Sequence, residues 1–214
     1  MKIMKTIIIA FLLGVFAFAC SNNTAGNNDS SSSTSSMPTP KPAGSPVFDD
    51  EVAVFETDFG TFKIALYPDV APRHVENFKK LINEKFYDGT GFHRVAPDFL
   101  IQGGDPQTRG GGNRARWGIG DPNLPKVSAE FSTRPFVRGT VGMARTDDPN
   151  SASSQFFVCL KPYPAWNGKY TVFGEVIQGL NNVQIISNVP TEPGSESVRE
   201  LPVIKRAYLE KRQQ

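Results

Sequence analysis

Histidine and cysteine are nearly missing from this chain, with two of each in 214 residues. That scarcity removes whole classes of chemistry. His74, His93, Cys20 and Cys159 form no cluster at metal-ligand spacing, so neither a metal nor a cofactor is expected. Nucleophilic hydrolysis fares little better, because no serine sits in a Gly-x-Ser-x-Gly turn and only His74 or His93 could serve as base. His93, between Phe92 and Arg94, reads as a packed strand residue. Excess charge of one sign is lacking too: 23 Lys and Arg stand against 21 Asp and Glu, a net +2 that gives no reason to expect nucleic acid as a partner. The glycine-rich stretch from Gly103 to Gly120, with Arg109, Arg114 and Arg116, lacks the Gly-Lys-Ser/Thr continuation of a phosphate cradle. It reads as a surface loop beside a pocket.

The apolar run from Ile7 to Ala19 is too short to span a bilayer comfortably and, behind Lys2 and Lys5, has the form of a signal-peptide core. It ends Ala17-Phe18-Ala19-Cys20. A small residue directly before a cysteine resembles a bacterial lipoprotein cleavage site, which would make Cys20 a lipidated mature N-terminus and the protein a membrane-anchored one at the cell envelope. Ala17-x-Ala19 also suits ordinary signal cleavage and a soluble secreted product. Cys159, inside Phe156-Phe157-Val158-Cys159-Leu160, reads as a small buried thiol, and no disulfide to Cys20 is expected. Ser21 to Pro46 is low in complexity, with too few apolar groups to offset ordering entropy. As a free tether it would reach roughly 28 Å. The organisation expected is a signal peptide over 1–19, a lipidated cysteine and Ser/Pro-rich tether over 20–50, and one folded domain over 51–214, expected to be monomeric.

Within that domain, Val52 to Glu56 and Thr61 to Tyr67 alternate with period two across Thr57-Asp58-Phe59-Gly60, which predicts a hairpin with one buried face. Val75, Phe78, Leu81, Ile82 and Phe86 then fall at helical spacing behind Pro72, predicting a helix that stops at Asp88-Gly89, with His74 solvated on its first turn. Short strands follow at Phe92 to Val95, Leu100 to Gly103, Thr140 to Met143, Gln155 to Leu160, Thr171 to Val176 and Val203 to Leu209. One further short helix is predicted near Leu180 to Ile186. Many short strands with few helices argue for a mainly β, antiparallel barrel or sandwich.

The stretch from Phe92 to Asp105 carries the chemistry. It sets a permanent cation, Arg94, among strand residues that read as buried, where a charge without a partner is costly. Beyond the Pro97-Asp98 turn, paired strands would bring the Gln102 amide within reach of that guanidinium. Phe-His-Arg-Val-x-Pro-x-Phe-Leu-Ile-Gln-Gly-Gly-Asp resembles the signature of the cyclophilin-type peptidyl-prolyl cis-trans isomerases. Two later blocks agree in family order, Gly139 to Thr146 running to Ser153 through Val158, and Trp166 to Val176. The resemblance implies a closed eight-stranded antiparallel β-barrel capped by two helices. It also implies acceleration of X-Pro isomerisation in proline-containing polypeptide clients.

Carried over by motif, Arg94 and Gln102 are the expected catalytic pair, and Phe99, Leu100 and Phe157 the expected proline pocket. Ala144 and Arg145 would lie along the substrate backbone, and Gln155 would point into the groove. Phe156, alternating away from Phe157, is expected in the core. Three departures stand out: Arg145-Thr146 replaces the frequent Asn-Ala, Tyr170 replaces a common histidine, and Ala165 takes the frequent tryptophan's position. Trp166 then falls on the spot usually held by Leu, and both it and Tyr170 are expected along the pocket. A different class of function, a proline-peptide-binding chaperone or adaptor with little turnover, remains as the alternative.

Overall fold

The computed structural model describes residues 37–213. The signal-like run and Cys20 lie outside the described residues.

The fold starts from the hairpin. β1 (Glu51–Thr57) and β2 (Gly60–Leu66) pair antiparallel from Val52↔Ala65 to Thr57↔Gly60, around Asp58-Phe59. Ala53, Phe55, Phe62 and Ile64 enter the main core. The outer face is covered as well: Val52, Val54 and Ala65 form a second small cluster under Phe48 and Tyr208. Both faces of β1 are therefore buried, where alternation alone predicts one, because a neighbouring strand and the chain before β1 supply apolar cover.

α1 (Pro72–Asn83) opens on its proline and buries Val75, Phe78, Leu81 and Ile82. It stops short of the predicted Asp88-Gly89, since Lys85 takes a left-handed φ of 55° and turns the chain back. His74 is not solvated. It is fully enclosed, its Nδ1 lies 2.6 Å from Glu130 Oε2, and the Glu130 carboxylate also accepts from the backbone amides of Arg73 and His74. Helical spacing shows which residues share a face; it does not show that a later loop will cover the first turn.

The remaining strands are β3 (Arg94–Ala96), β4 (Leu100–Gly103), β5 (Thr140–Met143), β6 (Phe156–Cys159), β7 (Val172–Gln178) and β8 (Ile204–Lys211), with α2 (Leu180–Ser187) between the last two. They form one antiparallel sheet in the order β3-β4-β6-β5-β7-β2-β1-β8. It curls around an aromatic core in which Phe78 of α1 meets Phe173 at 4.9 Å and Phe156 at 5.5 Å between ring centroids. Val183 and Ile186 of α2 join the same core.

The sheet is an open, curled half-barrel, not the closed barrel expected from the family resemblance. No ladder joins β3 to β8 among the described residues. Residues before β3 touch the start of β8 through the bridge Gly91↔Val203 and flanking backbone bonds. β3 itself is only three residues long, and its outer edge is taken by another segment: Val95 N–H donates to the Glu196 carbonyl at 2.8 Å, and Arg94 bridges Ser197. A strand whose edge is occupied in this way cannot accept a further ladder.

The chain ahead of β1 also departs from expectation. Lys41 lies along residues 131–133, its N–H donating to the Phe131 carbonyl at 2.7 Å and its carbonyl accepting from Thr133 N–H at 2.9 Å. The Pro-rich end of the expected tether is therefore docked on the domain. Cys159 is fully buried, and burial pushes its thiol up to about 12, which leaves it unreactive.

Candidate active site

Strand register assembles the site. Arg94 on β3 is opposite Gln102 on β4, Gln102 is opposite Phe157 on β6, and Phe157 is opposite Gly142 on β5. Directly opposed residues project to the same face of a sheet, so this row sets a cation, an amide and a phenyl ring side by side. Gly142 makes the ring's position possible, since a Cβ there would lie 2.5 Å from Phe157 Cζ and 2.7 Å from Phe136 Cε1. Phe136 and Phe157 stack above the bare backbone at 5.7 Å.

Arg94 sits at the rim, its side chain 42% exposed. Its Nη1 donates to Gln102 Oε1 at 3.0 Å and its Nε to Glu196 Oε2 at 2.6 Å. Gln102 Nε2 donates in turn to Gln155 Oε1 at 3.1 Å, and Gln155 Nε2 donates to the Gly118 carbonyl at 3.0 Å. Gly118 is fixed by Asp105, a fully buried carboxylate that accepts from the backbone N–H groups of Gln107, Gly118 and Gly120. The glycine-rich loop thus folds around a carboxylate of its own and gives its far end to the groove. A cavity of about 180 Å³ opens there, lined in part by Gln102, Ala144, Arg145 and Gln155.

The apolar side of the site is a set of rings. Trp166 is central, with centroid distances of 5.1 Å to Phe157, 5.4 Å to Phe99 and 5.5 Å to Tyr170. Ala165 is exposed, so the tryptophan one position later occupies the pocket. Arg145 folds over Tyr170 at 4.5 Å and donates to the Lys169 carbonyl, so its side chain braces this loop. Leu100, which the motif assigns to the apolar pocket with Phe99 and Phe157, is buried and lies opposite Cys159. Phe156 is in the core, as alternation predicts.

His93 is buried beside this row, and burial holds it at about 4, with the neighbouring Arg94 charge adding to the effect and Asp105 opposing it. A neutral ring with no hydrogen-bond partner for Nδ1 among the described residues is a packed residue, not a base poised near neutrality.

Sequence reasoning missed Phe136, Tyr163 and Glu196. Phe136 follows a proline in a stretch without alternation, and Tyr163, 4.5 Å from Trp166, lies between two prolines. Glu196 did leave a signal, since Glu192-Pro193-Gly194-Ser195 has the residues of a tight turn. A larger groove of about 850 Å³ between Phe59, Ile185 and Leu201 contains none of the predicted site residues. Chemistry, not size, locates the site.

A guanidinium held at two nitrogens thus stands beside a cluster of aromatic rings at the edge of the half-barrel. Comparisons with known proteins supply the class. The family model for the cyclophilin type peptidyl-prolyl cis-trans isomerase/CLD matches residues 52–208, and the chain belongs to that family and is a peptidyl-prolyl cis-trans isomerase. A probable peptidyl-prolyl cis-trans isomerase of Brucella suis is 42% identical over 75% of this chain and 83% of its own length. The isomerase ppi1 of Schizosaccharomyces pombe is 37% identical over 72% and 96%. Among solved structures, a cyclophilin type isomerase of Cryptosporidium parvum superposes with a TM-score of 0.66 at 27% identity, covering 78% of this chain and all of that one. The same protein solved in the presence of the dipeptide Ala-Pro gives a TM-score of 0.65 at 28% identity, covering 75% and 99%.

Proposed function

We propose that Arg94 is the catalytic donor of this isomerase and Gln102 the residue that holds it, with Phe99, Phe157, Trp166 and Tyr170 seating the proline ring. A peptide bond resists rotation by about 18–20 kcal/mol because the nitrogen lone pair is delocalised into the carbonyl. In the twisted transition state that pair localises on the proline nitrogen, which then accepts a hydrogen bond. Arginine donates without giving up its proton, so it binds this state better than either planar one. The observation that carries the reading is the row Arg94–Gln102–Phe157, with the guanidinium tied at two nitrogens and Nη2 left without a partner among the described residues.

Ala144 and Gln155 line the adjoining cavity, where they would meet the substrate backbone. Leu100 would act as backing beneath the pocket. The Ala-Pro dipeptide, in whose presence the Cryptosporidium protein was solved, contains the kind of bond such a seat would hold. The test is proline-limited refolding of a client protein with the domain over residues 37–214 and its Arg94→Ala variant. The account requires a large loss of rate in the variant; equal rates would contradict it. A module that only grips proline loops would need no donor at the imide nitrogen, so the arrangement around Arg94 disfavours the chaperone or adaptor reading.

The clients are read as proteins of the cell envelope, with the domain exported and held to a membrane through lipid on Cys20. Support comes from Lys2, Lys5, the apolar run and the Ala-Cys junction in the sequence. Lipid labelling in cells, with and without globomycin, tests the anchor. A Cys20→Ala variant that still partitioned with membranes would contradict it.

A further inference from the structure

The segment that takes the edge of β3 is an arm with its own architecture. Residues 190–199 form a small hairpin: Glu192 N–H donates to the Ser197 carbonyl at 2.9 Å, Thr191 bridges Val198, and Arg199 N–H donates to the Pro190 carbonyl at 2.9 Å. Its tip is Glu192-Pro193-Gly194-Ser195, with Gly194 at φ +68° where a turn of this kind needs a left-handed residue. The arm is pinned from the glycine-rich loop by Arg114, whose Nη1 donates to Glu192 Oε1 at 2.6 Å and to the Val198 carbonyl at 2.9 Å, and whose Nη2 donates to the Arg199 carbonyl. Backbone bonds from Val95 N–H to the Glu196 carbonyl and from Val198 N–H to the His93 carbonyl lay the arm along β3.

This construction delivers one side chain to the site. Glu196 meets Arg94 Nε at 2.6 Å, opposite the Gln102 contact at Nη1. A planar guanidinium held by a single partner can still swing about that bond. One held at Nε and Nη1 has its plane fixed, with Nη2 remaining to donate. We infer that Glu196 is a positioning residue for the isomerase reaction, presented by the 190–199 arm to lock the plane of the Arg94 guanidinium. The inference rests on Arg94 being the donor. As a stability device the pair would be weak, since its side chains are 42% and 44% exposed and exposed ion pairs contribute little. Its effect belongs in the rate, where small misplacement of a reacting group is costly.

The test compares Glu196→Ala and Glu196→Gln with the unaltered domain and with Arg94→Ala, reading kcat and KM separately on an Ala-Pro-containing peptide. Glu196→Ala is expected to lower kcat about tenfold with KM within about twofold, because misplacement acts on the transition state. Glu196→Gln, which keeps an acceptor at Nε, is expected to restore kcat to within about threefold. The Arg94 Hε resonance in nitrogen-edited NMR gives a readout that needs no variant to fold: a slowly exchanging signal is expected in the unaltered protein, retained in Glu196→Gln and lost in Glu196→Ala. An unprotected Hε in the unaltered protein would overturn the inference, as would an unchanged kcat in Glu196→Ala or a loss confined to KM. A slow Arg94→Ala beside a fast Glu196→Ala would remove the positioning role alone. An Arg94→Ala variant as fast as the wild type would remove the donor reading and this inference with it.

Discussion

Adjacent residues in this protein meet opposite surroundings. Arg94 sits half-exposed at a rim, while His93 beside it is held neutral, at about 4 against an ordinary value near 6.5, chiefly by burial. The unfolded chain takes up a proton at this ring as pH falls through 6.5, and the folded protein does so only near 4. Stability should therefore drop across that window by on the order of 3 kcal/mol from this group, then level off below it. Glu130 is lowered too, but by hydrogen bonds and not by burial. Burial would raise it, but hydrogen bonds from His74 and the backbone amides of His74 and Arg73 outweigh burial and hold it at about 2. Its contribution is complete above 4.5 and lost as pH falls toward 2. Urea unfolding midpoints measured from pH 7 down to 2 should show both losses, and His93→Gln should flatten the upper one. Arg94 and Gln102 were legible in the sequence because a cation in an apolar strand stands out and the turn length sets its partner. For Glu196 only the preceding turn was legible, because nothing local says that the glutamate after it reaches a distant arginine.

At the scale of elements, alternation and helical spacing located both helices and all eight strands, with ends misplaced by a few residues where a left-handed residue or a cap decides them. The covering of faces was the hidden part. Neither the outer cover over β1 nor the loop that encloses His74 has a local signal, since each comes from chain far away in sequence. Two substitutions test these contacts. Gly142→Ala on β5 should destabilise by about 1–3 kcal/mol and lower activity as well, because the new methyl group displaces Phe157 or Phe136. Glu130→Ala should cost about 2 kcal/mol or more, since it strips the buried His74 ring of its one acceptor and frees two amides at the start of α1. Thermal unfolding of both variants, with refolding assays on the first, measures these effects.

The described residues form a half-barrel whose open edge is filled by the 190–199 arm and on which the stretch ahead of β1 is docked, so the folded unit begins before the boundary at 51 that composition suggests. Pro40 touches Gly168, where a Cβ would lie 2.9 Å from its ring, and Ala43 N–H donates to Thr133 Oγ1 at 2.8 Å. A domain cut at residue 47 should therefore be less stable than one cut at 37 by about 1–3 kcal/mol, with Thr133 N–H losing protection from hydrogen exchange. The family resemblance supplied the expectation of a closed barrel; the occupied edge of β3 is why the sheet stays open. The central claim is that one immobilised donor lowers the barrier within a bound proline peptide. Exchange spectroscopy of an Ala-Pro-containing peptide, saturated with the wild-type domain and with Arg94→Ala, measures that barrier directly. The account predicts interconversion slowed about a hundredfold or more in the variant, the loss typical of one preorganised donor, with affinity nearly unchanged. Equal interconversion rates at equal occupancy would contradict it.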